Sequence, residues 1–194
     1  MSFKKNKYQI IRQAIPKDLA NFVMNYFLLQ QDAVAYMLKN NIINKHNPLI
    51  GNWEDEQVPN AYAKYADWVM ETLLQYVRPI MKQKTKLDLI PTYSYARIYN
   101  KGNILKKHKD RPSCEISTTL NLGGNNWSIY LEGIKVDLQQ GDMLIYSGCE
   151  LEHWREPFTG DFCVQVFLHY NHANGKFGNN NLFDKRPMLG IPKM

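Results

Sequence analysis

Apolar positions recur at helical spacing through the first half of the chain and at alternate positions through the second. A short run from Tyr8 to Ile11 reads as a strand. Pro16, Lys17 and Asp18 then open a helix in which Leu19, Phe22, Val23, Tyr26 and Phe27 share one face. A further short helix is predicted over Asp32 to Lys39. Asn44 to Asn60, with its Pro, Gly and acidic residues, reads as a loop. From Ala61 to about Lys82 the spacing predicts another helix, with Tyr62, Tyr65, Val69, Leu73, Tyr76 and Ile80 along one face.

Beyond Leu87 the pattern changes to short alternating segments separated by turn residues. Thr92 to Tyr99, Glu115 to Leu122, Trp127 to Glu132, Lys135 to Leu138, Asp142 to Tyr146 and Phe162 to Tyr170 are the expected strands. Gly123, Gly124, Asn125 and Asn126 are expected to turn a hairpin between two of them, because glycine and asparagine tolerate positive φ. Gln140, Gly141 and Asp142 are expected to turn another. Helices followed by many antiparallel strands predict an α+β fold, a sandwich or barrel-like core with helices packed on one face. At 194 residues the chain fits one domain (1–194), with a helical part to residue 90, a β core over 91–170 and a tail from Asn171 expected to run over the surface. There is no internal repeat.

Composition adds boundaries rather than chemistry. Hydrophobic residues at 44% and charged residues at 22% are ordinary for a folded globular chain and exclude wholesale disorder. The formal charge of +6 and pI near 9.1 allow an anionic partner. The lysines lie in short groups, however, with no basic helix, so a solvated basic surface is favoured over a nucleic-acid groove. Cys114, Cys149 and Cys163 show no metal-type spacing and read as free thiols in apolar runs. The opening segment lacks the apolar core of a signal peptide, and no run approaches the ~20 apolar residues needed to cross a bilayer. A reducing cytoplasm suits these features.

The chemistry concentrates at His108-Lys109-Asp110 and at His153, which follows Asp110 by 43 positions. Residues i and i+2 of extended chain point to the same side, so an imidazole and a carboxylate can converge on one ion. Four short strands fit between this pair and His153, enough to return the chain to the same end of a sandwich. Two histidines and one carboxylate on one face of an octahedron leave three positions open, the arrangement of iron(II) oxygen chemistry. Alone, a His-x-Asp pair also reads as surface residues beside a turn. Its place just before the strand-rich half favours the metal.

Tyr99-Asn-Lys-Gly102, His108-Lys-Asp110, Gly141-Asp142 with an apolar strand, then His153 and Pro157, resemble the prolyl-4-hydroxylase-like branch of the 2-oxoglutarate/Fe(II) oxygenases. The segments from Arg111 to Ser117 and from Gly148 to Phe158 resemble, more narrowly, viral members carried by marine cyanobacterial viruses, which would place the protein in a host cytoplasm. The likeness spans Thr92 to Tyr170. It implies a double-stranded β-helix (jelly roll) buttressed by the N-terminal helices. It also implies Fe(II) held by His108, Asp110 and His153, 2-oxoglutarate and O2 as co-substrates, ascorbate as an accessory reductant, and hydroxylation of a protein or peptide side chain.

The resemblance leaves one position unfilled. Such proteins carry a basic residue on the last core strand to pair with the far carboxylate of the oxoacid. Here that window reads Phe162-Cys163-Val164-Gln165. Arg155 is the first replacement, since alternation after His153 sends it toward the same pocket. Arg97, alternating with Tyr93, Tyr95 and Tyr99, is the second, and Tyr99 is placed to hydrogen-bond the oxoacid. Blander readings pair Arg155 with Glu156, stack Arg97 on the tyrosines, and pair Arg111 with Glu115. His169 with His172 could form a second metal pair, although hydrogen-bonded or solvated histidines are favoured. His46 sits in a polar loop. Trp127 reads as core, and Trp53 as an aromatic on a lid over the pocket.

Two other functions stay open: a non-catalytic jelly-roll binding module with an incidental metal, and an oxygenase acting on modified nucleic-acid bases. A cupin-type centre would need a further histidine and a glutamate beside the first ligand, and none is placed correctly.

Overall fold

The computed structural model describes residues 2–193. After a one-turn helix α1 (Phe3–Asn6), the chain runs through β1 (Tyr8–Ile11), α2 (Lys17–Lys39), β2 (Tyr62–Tyr65), α3 (Trp68–Thr85), β3 (Leu89–Asn100) and β4 (Leu105–His108). Then follow β5 (Ile116–Gly124), β6 (Ile129–Leu131), β7 (Ile134–Val136), β8 (Met143–Ser147), β9 (His153–Arg155) and β10 (Phe162–His172). The strands form a six-stranded sheet in the order β1-β8-β5-β10-β3-β2 and a four-stranded sheet in the order β4-β9-β6-β7. Every pairing is antiparallel. The result is the expected mixture of helix and antiparallel sheet.

Strand alternation divides the large sheet into two chemically different faces. Ala96, Ile98, Leu120, Leu122, Val164, Val166 and Leu168 point one way and bury against Val23 and Phe27 of α2 and Leu73, Leu74 and Val77 of α3. This is the main core. The opposite face carries Tyr93, Tyr95, Arg97 and Tyr99 on β3, Ser117 and Thr119 on β5, and Gln165 and His169 on β10. Leu144 and Tyr146 of β8 meet Ile129, Leu131 and Val136 of the small sheet on that side. The polar groups are therefore enclosed between the sheets, where a site can be dry.

Several elements differ from the sequence expectation. Residues 17–39 form one helix rather than two, because nothing between Gln30 and Asp32 breaks it. Instead Gln30 bonds Asp67 at 2.8 Å and Tyr26 at 3.0 Å, fastening α2 to the start of α3. The helix expected from Ala61 begins only at Trp68. Ala66 takes φ 56°, and Asp67 caps the helix by accepting from Val69 and Met70 N–H groups at 3.0 and 3.2 Å. Tyr62 to Tyr65 instead form a strand on β3, paired with Tyr95 to Ile98; four residues are too few for a spacing of three to tell helix from strand.

The two expected hairpin turns are corners between sheets. Strand β5 before Gly124 pairs with β8 and β10, whereas β6 after Asn126 belongs to the small sheet, and the Gln140-Gly141-Asp142 turn likewise leads from β7 to β8 across the gap. Turn residues favour a reversal but do not choose the partner. Gly124 is required at φ 90°, where a Cβ would also collide with the Phe162 carbonyl. The expected surface tail is also partly corrected. β10 extends to His172, and the last segment folds back, burying Asp184 and Arg186.

Candidate metal centre

His108 ends β4 and His153 opens β9, and the two are direct partners across that antiparallel pair. Opposed residues have Cβ atoms roughly 5 Å apart, so the imidazoles lie side by side, with ring centroids 4.2 Å apart. His153 is the first residue of its strand. Its strand is only three residues long and has no apolar alternation to announce it.

Each ring is oriented in the same way. His108 Nδ1 bonds the Lys106 carbonyl at 2.8 Å and His153 Nδ1 bonds the Leu151 carbonyl at 3.0 Å, in both cases two residues back. A carbonyl only accepts, so Nδ1 carries the proton and each Nε2 presents its lone pair. Those lone pairs converge on Asp110 Oδ1, 3.7 Å from His108 Nε2 and 3.5 Å from His153 Nε2. The three ligand atoms lie within 4.8 Å of one another.

Asp110 is held from both sides. Its N–H donates to the Gly148 carbonyl at 2.9 Å, and Ser117 Oγ donates to Oδ2 at 2.7 Å, leaving Oδ1 aimed at the histidines. Gly148 is glycine for want of space: a Cβ there would overlap Asp110 Oδ2. Burial would raise the Asp110 pKa, but the facing His153 and the Ser117 hydrogen bond outweigh it and hold the carboxyl below its usual range. Burial and the adjacent His153 lower His108. A carboxyl held anionic at Asp110 and an imidazole lowered at His108 suit a divalent ion, which needs deprotonated ligands.

A pocket of about 390 Å³ opens over these residues, walled by Tyr65, Tyr93, Tyr95, Arg97, Tyr99 and His169. The loop between α2 and β2 reaches across its mouth. Gln57 Nε2 lies 3.1 Å from His108 Nε2, and Gln57 Oε1 accepts from Arg97 at 3.3 and 3.4 Å. Asp55 accepts from both Arg97 and Tyr95. The lid-like loop lies where expected, but Trp53 is not its pocket residue: it packs on Tyr62 with centroids 4.7 Å apart. Asp55 and Gln57 were not singled out from the sequence. Two polar residues at i, i+2 beside a tryptophan were the available signal.

Among the arginines, Arg97 is on the pocket wall and already paired with Asp55. Arg155 is only 1% exposed, so it is not the surface partner of Glu156. It lies behind the wall, donating to the Trp127 carbonyl and, at 3.3 Å, to Thr119 Oγ1, with its guanidinium over the Trp127 ring. Among the described residues it pairs with no carboxylate, and its Nε has no hydrogen-bond partner. Tyr99 is fully buried between Arg97, whose Nη1 is 3.4 Å from the phenol, and Trp127. Arg111 pairs with Asp184 at 2.8 and 2.9 Å instead of with Glu115. His169 follows the favoured hydrogen-bonded reading: its Nδ1 lies 2.9 Å from Ser117 Oγ, it lines the pocket rather than meeting His172, and burial pushes it down to about 4. His46 is an exposed loop residue, and Trp127 packs on Phe158 as core.

No family model matches the chain, and no curated protein does. Solved structures do. A prolyl-4-hydroxylase from Pseudomonas putida superposes with TM-score 0.58 at 15% identity, covering 88% of this chain and 95% of the other. A viral collagen prolyl hydroxylase from Paramecium Bursaria Chlorella virus-1, solved with 2-oxoglutarate, gives 0.58 at 10% identity over 86% and 97%. A non-haem α-ketoglutarate-dependent epimerase from nogalamycin biosynthesis gives 0.67 at 10% identity over 99% and 90%. The chain shares their fold. In this fold the enclosed face of the large sheet and the histidine-bearing strands of the small one frame one pocket. No helix among the described residues is long and apolar enough to cross a membrane.

Proposed function

We propose that this protein is a 2-oxoglutarate- and Fe(II)-dependent dioxygenase built on a double-stranded β-helix, with His108, Asp110 and His153 as the metal ligands. The observation that carries the reading is the tautomer control described above. Two histidines, each with Nδ1 bonded to a carbonyl, present Nε2 to one carboxylate oxygen at the floor of a pocket. A structural His-Asp ion pair has no need of two identically oriented rings.

Iron with 2-oxoglutarate and dioxygen would supply the oxidising chemistry, converting the oxoacid to succinate and carbon dioxide while substrate is hydroxylated. The protein holds, orients and excludes water. Ser117 keeps Asp110 from turning, and Tyr146 packs edge-on against His153 at 4.8 Å, closing one side of the ring to solvent. Arg155 is proposed to bind the far carboxylate of 2-oxoglutarate, with Thr119 beside it and Tyr99 on the pocket wall. A buried cation without a counter-ion is costly, and a dicarboxylate would remove that cost. Arg97 is less suited, because Asp55 already neutralises it.

The primary substrate is proposed to be a protein or peptide side chain, by analogy with the prolyl hydroxylases of like fold. A cytoplasmic setting, that of the host if the chain is viral, belongs to the same reading, as does ascorbate as an accessory reductant. The deciding experiment is anaerobic addition of Fe(II) and 2-oxoglutarate to the purified protein. A weak visible charge-transfer band, lost in His153→Ala, is expected. Iron bound stoichiometrically with no oxoacid affinity would leave only a metal-binding module.

A further inference from the structure

Asp110 has a second set of neighbours on its Ser117 side. Cys114 Sγ and a ring nitrogen of His169 come together with the Asp110 carboxylate, their ligand atoms all within 4.8 Å of one another. Cys114 ends the single 3-10 turn Pro112–Cys114 that follows the metal loop, and His169 projects from β10. Both side chains are buried, yet both line the pocket together with Asp110, so a small ion has a route to them. Cys114 is not in a disulfide. Tyr93 hydroxyl, 3.0 Å from Cys114 Sγ, adds a fourth polar atom to the cluster.

Sulfur, imidazole and carboxylate suit a different ion from the two-histidine, one-carboxylate set. Thiolate ligation favours zinc and similar borderline-soft ions over magnesium or calcium. The charge also balances. A divalent cation bound by one thiolate, one carboxylate and one neutral imidazole carries no net charge, which is the favourable case for a buried ion. Around tetrahedral zinc, ligand atoms stand roughly 3.3–3.8 Å apart, so the side chains need to close by about 1 Å. The proton displaced from the Cys114 thiol leaves through the pocket.

We propose that Asp110, Cys114 and His169 form a second cation site that takes a thiophilic divalent ion, zinc above all, and that this site competes with the first because the two share Asp110. The competition, though not the site, rests on the His108, Asp110 and His153 reading. Filling both sites would place four positive charges against two negative ones, so each ion weakens the other until an anionic ligand arrives. Zinc would then inhibit by drawing Asp110 away from the histidine pair.

Cobalt(II) is the probe, because thiolate ligation gives an intense near-ultraviolet charge-transfer band that nitrogen and oxygen ligands do not. With metal-free protein under anaerobic conditions, His153→Ala is expected to bind one cobalt with the band, and Cys114→Ser one cobalt without it. Zinc should displace Fe(II) from wild type at concentrations at least tenfold lower than from Cys114→Ser. A folded His153→Ala lacking the band, or a band that survives in Cys114→Ser and so reports Cys149 or Cys163, overturns the proposal. Should His153→Ala not fold, wild type in excess cobalt decides by the same band. A Cys114→Ser chain that binds no cobalt, beside a wild type that shows the band, would keep the thiol site and overturn the histidine triad instead.

Discussion

Gln57 Nε2 sits 3.1 Å from His108 Nε2, so the loop over the pocket occupies the lone pair that a metal ion would use. The Nδ1 of the same ring already bonds Lys106, which leaves the carboxamide as the donor in this contact. Metal binding and this hydrogen bond exclude each other. Gln57→Ala is therefore expected to tighten Mn(II) or Fe(II) binding about two- to tenfold, the equivalent of roughly 0.5–1.5 kcal/mol for one hydrogen bond. Anaerobic titration measures it, and an unchanged affinity would mean that the contact opposes nothing.

Ser117 and Gly148 hold Asp110 by contact and by space. Ser117→Ala should lower metal affinity roughly 10–100-fold, as loss of a ligand's supporting hydrogen bond generally does. Gly148→Ala should weaken binding as well, because its Cβ would push Oδ2 out of place. It should also destabilise the fold by about 1–3 kcal/mol. Ion titration and denaturant unfolding separate the two effects. Wild-type affinity in both variants would show that Asp110 needs neither.

Arg155→Ala should leave iron binding intact and raise the 2-oxoglutarate dissociation constant about tenfold or more, the equivalent of at least 1.4 kcal/mol out of the roughly 2–5 kcal/mol lost with a buried charge-assisted pair. Arg155→Lys should recover part of it, since an ammonium cannot make two parallel bonds to a carboxylate. If instead Arg97→Ala abolishes oxoacid binding while Arg155→Ala does not, the anchor lies on β3.

Asp184 should give the fold an acid limb. Burial would raise its pKa, but Arg111, Lys193, Ser113 and Tyr65 outweigh burial and hold it well below the usual carboxylate range. A carboxylate depressed in the folded state stabilises fully above its unfolded value, about 3.9, and progressively less as pH falls below that. Asp184→Asn should therefore unfold more readily than wild type at pH 7, with the gap narrowing toward pH 3. Thermal midpoints at the two pH values test this, and a gap independent of pH would assign Asp184 no electrostatic part.

The sequence made the candidate metal set legible because His-x-Asp and a distant histidine survive as a pattern whatever the flanking structure. It hid the strands that carry them. Leu105–His108 and His153–Arg155 are too short and too charged to alternate, and they are strands because of their pairing with each other and, for His153–Arg155, with β6 as well. The sheet-crossing corners were hidden for a related reason. Glycine and asparagine report local φ, while the choice between hairpin and crossing is made by residues far along the chain, such as those of β10 that take β5 as a neighbour. Alternation singled out Arg155 and expected it in the same pocket as His153; the structure sets it behind the pocket wall, and its lack of an ion-pairing carboxylate among the described residues emerged only from the packing.

The closing segment of the chain makes the pocket's shape a property of distant residues. Asp184, set by left-handed φ values at Phe183, Asp184 and Lys185, grips Arg111, the immediate neighbour of Asp110, while Arg186 is locked on Glu71 of α3 at 2.6 Å. A mutational library restricted to pocket-lining positions would thus miss part of what sets the site. Substitutions between Phe183 and Arg186 could shift the candidate metal loop through Arg111 without touching any of the three candidate ligands, and so alter the site from afar.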